Sequence, residues 1–275
     1  MLLDIRRSGV PMDRLLMIGR QSLFLHASEL RQLQKVCPQA LADYKWGEYA
    51  DRFFRECLGV QQVNTLDYSA YEGADILHDL NQSIGDDLRN RFDVVVEAGS
   101  LEHIFNFPVA IGNLMSMTKV GGIVSASIAS NNFCGHGFYQ FSPELIFRIF
   151  TPENGFELGK VFALEARYPG VELVPMGKAF EVSDPMKVGD RVGLITKCPV
   201  MLLFHARKLA DVPLFAQPPL QSDYCAAWLS HPKPAGTIPQ WITNLPFYSS
   251  LRNRWAGQKQ SRAFSLRNRR VFHKA

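Results

Sequence analysis

Residues 92–127, FDVVVEAGSLEHIFNFPVAIGNLMSMTKVGGIVSAS, leave the chain few ways to fold. An apolar run from Phe92 ends in Glu97 and is followed by Gly99, Glu102 and His103. Apolar residues at helical spacing come next, then Gly121-Gly122 and a second apolar run over 122–127. The pattern predicts a buried strand, a polar loop, an amphipathic helix, a Gly-Gly turn and a second buried strand. That is a βαβ unit with polar side chains gathered at the carboxyl end of its first strand, where ligands bind in open parallel sheets.

The same reading extends along the chain. The apolar run 15–19 predicts a first strand ending at Gly19, and helices are expected over 27–36 and 40–58, the second loosened at Gly47 and stopped by Gly59. Residues 60–66 predict a strand ending at Asp67, and 74–77 a strand ending at His78-Asp79. Ser142-Pro143-Glu144 opens a helix to about Phe150: a hydroxyl cap, a proline at the first helical position, an acid near the positive dipole end. A strand starts at Gly155-Phe156 and the last runs over 199–207, with an irregular or short-stranded insertion over 161–190 between them. Strands alternating with helices predict an α/β, doubly wound, mostly parallel sheet, and the last two strands an antiparallel addition at one edge.

Length permits one large domain with an appendage: 275 residues, divided as 1–209 and a proline-rich extension over 210–275 that ends in a basic tail. The tail, from Leu251, holds eight basic residues and no acid, so a net charge of +4 leaves −4 on residues 1–250. Trp255, Phe264 and Phe272 lie among its arginines. Such a tail suits an anionic surface or another subunit, or is simply solvated; nothing in it reads bases, so no sequence-specific nucleic acid is expected. Five scattered cysteines without a CxxC pair read as free thiols, and neither they nor the histidines show metal-ligand spacing in sequence. No signal-peptide pattern opens the chain and no apolar run reaches the ~18 residues of a membrane helix, so a cytoplasmic protein is expected.

The acid-ended strand before Leu101-Glu102-His103-Ile104 and the Gly-Gly turn before the next strand resemble the class I S-adenosylmethionine-dependent methyltransferases, in particular the type 11-like group. The resemblance spans about residues 15–207 and implies a Rossmann-like, seven-stranded sheet and S-adenosylmethionine as cofactor. It implies a ribose-binding role for Asp67, with Tyr68 beside it, and adenine contacts for Asp79 and the backbone of Leu80. Glu97 and Gly99 would flank the methionine end of the cofactor. Read from the residues alone, the alternative for Asp67 is to cap its own turn, and Asp79 could equally be a turn or helix-cap residue. The first loop departs from the family pattern of an acid and three alternate glycines. Only Gly19 is present, with Met17, Gln21 and Leu23 at the other positions. Gln21 and Ser22 would then have to supply side-chain hydrogen bonds in place of close backbone approach.

The acceptor side is expected in residues 131–144, NNFCGHGFYQFSPE, after the fifth strand. Asn131, Asn132, Tyr139 and, across the cleft, Glu102 are candidate acceptor contacts. A loop rich in amides and rings suits a hydroxylated acceptor such as a sugar, whereas docking onto the core would account for its aromatics. His136 and His103 are the candidate general bases, His136 the first choice, since imidazole titrates near neutrality. The expected activity is methyl transfer to a hydroxyl of a small or glycan-type acceptor. The rival is a non-catalytic protein of the same fold serving as a binding or scaffold partner. A nicotinamide-dependent oxidoreductase is disfavoured, because the glycine-rich dinucleotide fingerprint is absent.

Overall fold

A computed structural model describes residues 1–38, 41–166, 177–188, 193–229, 254 and 263–275. Their strands form one mixed sheet: β1 (Arg14–Ile18), β2 (Gln62–Asp67), β3 (Ile76–Leu77), β4 (Phe92–Glu97), β5 (Thr118–Asn131), β6 (Phe156–Glu165), β7 (Ala179–Val182), β8 (Val200–Lys208) and β9 (Phe272–Lys274). The order is β3-β2-β1-β4-β5-β8-β6-β7-β9. β3, β2, β1, β4 and β5 run parallel, and β8 runs antiparallel to both β5 and β6. The chain winds outward from β1 to β3, then returns to the other side of β1 as β4. The carboxyl ends of β1 and β4 therefore flank the switch point, the natural crevice of such a sheet.

Side-chain alternation explains the uninterrupted apolar runs. Leu15 and Met17 of β1, with Val94 and Val96 of β4, face one core, against Ile5 of α1 (Leu2–Arg7) and Phe54 and Leu58 of α3 (Asp51–Leu58). Leu16, Ile18 and Val95 face the other, against α4 (Phe107–Met117) and α5 (Pro143–Ile149). Both faces are covered, so apolar residues fill both register positions over most of β1 and β4. Each fully buried Leu or Met contributes about 1.5–3 kcal/mol.

Several expectations are corrected. The helix expected over 40–58 begins only at Asp51; residues 41–50 are turns, and Tyr49 sits outside, under the Arg20 guanidinium at 4.2 Å. α2 (Ala27–Val36) falls where predicted, and α1 was not foreseen. α4 is buried nearly all round rather than amphipathic, because α4 fills the space between the sheet and the loop 80–84. β5 runs straight through Gly121-Gly122 to Asn131, with a register shift against β4 absorbing the glycines. The expected seven strands are joined by β7 and β9, so 199–207 is not the last strand. β9 is the end of the basic tail. Val271 and Phe272 are buried, Phe272 pairs with Val182, and the charged side chains of Arg269, Arg270 and Lys274 point outward. Of the expected insertion, residues 167–176 and 189–190 lie outside the described residues. So do the extension's prolines 232, 234, 239 and 246, and Arg252, Trp255, Lys259 and Arg262 of the tail. No helix among the described residues is long and apolar enough to cross a membrane.

Candidate functional site

The crevice is built first by β1. Its last turn puts Gly19 at φ +66°, with the amide N–H donating to the Leu66 carbonyl at 2.8 Å. A Cβ at Gly19 would stand 3.2 Å from Ser100 Oγ and 3.9 Å from Asp67 Oδ2, so the loops after β1, β2 and β4 converge on a position that only glycine leaves open. The cavity beside it is about 330 Å3 and is lined by Gly19, Asp67, Tyr68, Asp79, Leu80, Gly99 and His103, together with Ile18, Leu66, His78, Asn81, Ser100 and Ile104. Six of the eight predicted cofactor residues thus meet in one place, drawn from four separate segments.

Their polar atoms are only partly committed. Asp67 Oδ1 accepts the Ser69 N–H at 3.2 Å, the turn-capping bond, while Oδ2 lies toward Gly19. Asp79 Oδ1 accepts from the backbone and side chain of Asn81 at 2.9 and 2.8 Å. Those two bonds hold the Asp79 carboxyl below its usual range, and the residue is half-buried. Tyr68 is 77% exposed at the cavity's edge. The loop is fixed from beneath by Asn113 of α4, which donates to the Leu80 and Gln82 carbonyls and accepts from Ile84 N–H. A buried Asn on an otherwise apolar helix was the sequence signal for this support. Ser100 is a second residue that sequence reasoning missed; its hydroxyl donates to the Ile18 carbonyl at 3.1 Å.

Glu97 and Gln21 are corrected. Glu97 is 1% exposed and does not stand at the open rim; its Oε1 accepts the N–H groups of Gly99, Ser100 and Leu101 and so folds the loop over the β4 end. Burial, and then the neighbouring Glu102 carboxylate, push its pKa up to about 8. Its Oε2 has no partner, and the residue lines a separate cavity of about 310 Å3 under α1, with Leu3, Phe53, Ser127 and Leu203. Gln21 donates its side-chain amide to the Ile18 carbonyl at 2.9 Å, closing β1 instead of facing the cavity.

On the acceptor side, the loop after β5 docks onto the start of the β4–α4 connection. Phe138 and Tyr139 donate their N–H groups to the Glu102 carbonyl at 2.7 and 3.2 Å, and the Tyr139 hydroxyl donates to the Phe105 carbonyl at 2.6 Å. Gly137, at φ +79°, has the same carbonyl 2.6 Å from where a Cβ would stand. This docking carries His136 to Glu102: Nε2 lies 3.5 Å from Oε1, and the His103 and His136 rings are 5.0 Å apart. Glu102 is 1% exposed, whereas both histidines are exposed. His103 rather than His136 lines the cofactor-sized cavity. One ligand-type atom from each of Glu102, His103 and His136 lies within 4.8 Å of the others, a grouping that linear spacing did not reveal. Asn131 and Asn132 donate their amides to Thr196, and Asn132 also to the Cys198 carbonyl; they brace the approach to β8. The Tyr139 hydroxyl is likewise committed to the loop itself.

A larger cavity, about 600 Å3, lies among α5, α6 (Pro185–Val188) and α7 (Ser222–Leu229). There Ser222 donates twice to Glu144, and Arg148 pairs with Asp184. It lies apart from the strand ends where the candidate residues meet.

The sheet is parallel over β3-β2-β1-β4-β5, with the antiparallel β8 next to β5. The fold is Rossmann-like α/β, with a mostly parallel sheet. No protein-family model and no curated protein matches the chain. Solved structures similar to it include the trans-methyltransferase CalH in complex with S-adenosylhomocysteine, at 14% identity and TM-score 0.39 over 75% of this chain. The chain spans about half of CalH, 54% of its length. They also include a SAM-dependent methyltransferase of Thermotoga maritima (12% identity, TM-score 0.41, 75% of this chain and 88% of that one). The N-methyltransferase NodS of Bradyrhizobium japonicum WM9 with S-adenosyl-L-homocysteine is similar at 14% identity and TM-score 0.39, over 76% and 84%. Likeness at this level bears on no residue's role; the fold assignment stands on strand order and direction in this chain's own sheet.

Proposed function

We propose that this chain is an S-adenosylmethionine-dependent methyltransferase acting on a hydroxyl of a small or glycan-type acceptor. The observation that carries the reading is the convergence of Gly19, Asp67, Tyr68, Asp79, Leu80 and Gly99 on one cavity at the strand carboxyl ends, with His103 at its wall. The cavity's volume falls at the lower end of the ~300–1,000 Å3 of small-molecule sites. S-adenosylmethionine would supply an electrophilic methyl group. Asp67 offers a carboxylate oxygen for the ribose diol, and charge-assisted bonds of that kind are strong and directional. Asp79, a half-buried carboxylate at the cavity wall, suits the adenine amino group, and the open backbone at Gly19 and Gly99 suits the amino-acid end. With the cofactor bound, an imidazole of the His103–His136 pair would take the proton of the acceptor hydroxyl as that oxygen receives the methyl group. Positioning supplies most of the rate in such a displacement.

Calorimetric titration with S-adenosylhomocysteine tests the reading. Micromolar binding is expected. No binding at millimolar ligand would overturn it in favour of the second reading, a non-catalytic protein of this fold. What favours that second reading is the first loop: Met17 is buried in the core and Gln21 is folded back onto Ile18.

A further inference from the structure

We propose that Glu102, His103 and His136 form a binding site for one divalent transition-metal ion. The three residues come from segments 33 positions apart in the chain, and the backbone bonds from Phe138 and Tyr139 to the Glu102 carbonyl fix their meeting. The second observation is Glu102 itself. Its carboxylate is 1% exposed, and Oε2 has no hydrogen-bond partner. A buried carboxylate left in that state is costly unless a cation or donor completes it.

The donor set indicates which cation. Two imidazoles and one carboxylate suit zinc, manganese, iron(II) or cobalt(II) better than magnesium or calcium, which favour all-oxygen shells. Donors at ~2.1 Å from one tetrahedral ion stand ~3.4 Å from one another, so from separations of up to 4.8 Å the imidazoles would close by up to about 1.4 Å. Both are exposed and free to do so. Three protein ligands leave at least one coordination position open, the arrangement of catalytic rather than structural sites. His103 borders the cavity proposed for the cofactor, so the open position would lie at the boundary between the cofactor and acceptor sides. If the methyl-transfer reading holds, an acceptor hydroxyl in that position would be oriented toward the cofactor and acidified by the ion, its proton passing to solvent water in place of a histidine that is then a ligand. The role rests on that reading; the site does not.

The test uses the full chain without an affinity tag, stripped with chelator. Cobalt(II) is titrated by visible absorption and zinc by calorimetry, each with and without S-adenosylhomocysteine. One equivalent of either metal should bind with micromolar affinity or better, and His103→Ala and His136→Ala should each weaken binding at least about tenfold. His136→Ala should leave S-adenosylhomocysteine affinity within twofold. Absence of a one-equivalent site, or a loss of less than tenfold in either histidine variant, overturns the proposal. Glu102→Gln should also abolish binding; because its buried carboxylate could be needed for folding, the exposed histidines decide the matter. Metal binding without S-adenosylhomocysteine binding would retain this site while removing the methyl-transfer reading.

Discussion

Replacing Asp67 by alanine separates the two roles that a strand-terminal aspartate can play. As a turn cap, Asp67 makes one exposed hydrogen bond, Oδ1 to the Ser69 N–H at 3.2 Å, worth about 0.5–1 kcal/mol. Losing that bond should lower the melting temperature by under about 4 °C in a chain of this size. As a ribose ligand, the carboxylate would accept two hydroxyl protons, with Oδ2 already directed at the Gly19 turn. Bonds to a charged group contribute about 1.5–3 kcal/mol each. A loss of about 3 kcal/mol corresponds to a 100-fold or greater rise in the dissociation constant. Calorimetry with S-adenosylhomocysteine and a thermal melt on the same preparation give both numbers. Asp67→Asn, which keeps one acceptor oxygen and loses the charge, should fall between wild type and alanine. An Asp67→Ala protein whose affinity stays within threefold of wild type would refute the ribose assignment and leave the turn cap as the whole explanation.

Asn113→Ala should destabilise the protein by about 2–4 kcal/mol in a denaturant titration, because it leaves two carbonyls and the Ile84 N–H without their partner, and should weaken S-adenosylhomocysteine binding by loosening the Asp79 loop; unchanged affinity would detach α4 from the site. Glu97 gives a pH signature. Its pKa rises from 4.5 to about 8, so the folded state keeps a proton that the unfolded chain releases. That stabilisation is fully present below pH ~4.5 and is lost as pH rises toward ~8, at up to about 1.4 kcal/mol per pH unit. Chelator-treated Glu97→Gln should therefore show a flatter fall in stability over that window than wild type, and parallel curves would contradict the shift. Gly137→Ala, forced into a left-handed conformation against the Glu102 carbonyl, should cost about 2–4 kcal/mol and weaken the metal site, with S-adenosylhomocysteine affinity retained.

What could be read from the chain was local. An apolar run ending in an acid marks a buried strand and its carboxyl terminus together, which is why β2, β3 and β4 and the residues after them fell into place. Features set by docking were not legible. Glu97 reads as a rim residue, but the three amides that bury it belong to a loop whose curvature has no signature in composition. The helix expected over 40–58 fails because Tyr49 pairs with Arg20 instead of joining the apolar face of α3. β9 offers only Val271 and Phe272 between charged residues, a period-two pattern too short to notice without the edge of β7 to receive it. The Glu102–His103–His136 grouping was hidden for the same reason, since only Gly137 lets two distant loops touch.

The departure of the first loop from the family pattern has a local cause. Alternate glycines are needed where a loop curls tightly through left-handed conformations or presents its backbone at close range. Here only Gly19 does so. After it the chain straightens and pairs with the segment 47–50. Ala50 N–H donates to the Gln21 carbonyl at 2.9 Å, Leu23 N–H to the Glu48 carbonyl at 2.7 Å, and Gly47 N–H to the Leu23 carbonyl at 3.0 Å. Positions 21 and 23 have ordinary φ values, so side chains are tolerated there, and Arg20 fastens the arrangement by reaching both Asp51 and the Glu72 carbonyl. The turns of residues 41–50, which displaced the expected helix, are thus what holds the crevice open in place of two glycines. Restoring glycine at Gln21 or Leu23 would remove a side chain without restoring the curl, because the backbone there is committed to its neighbour.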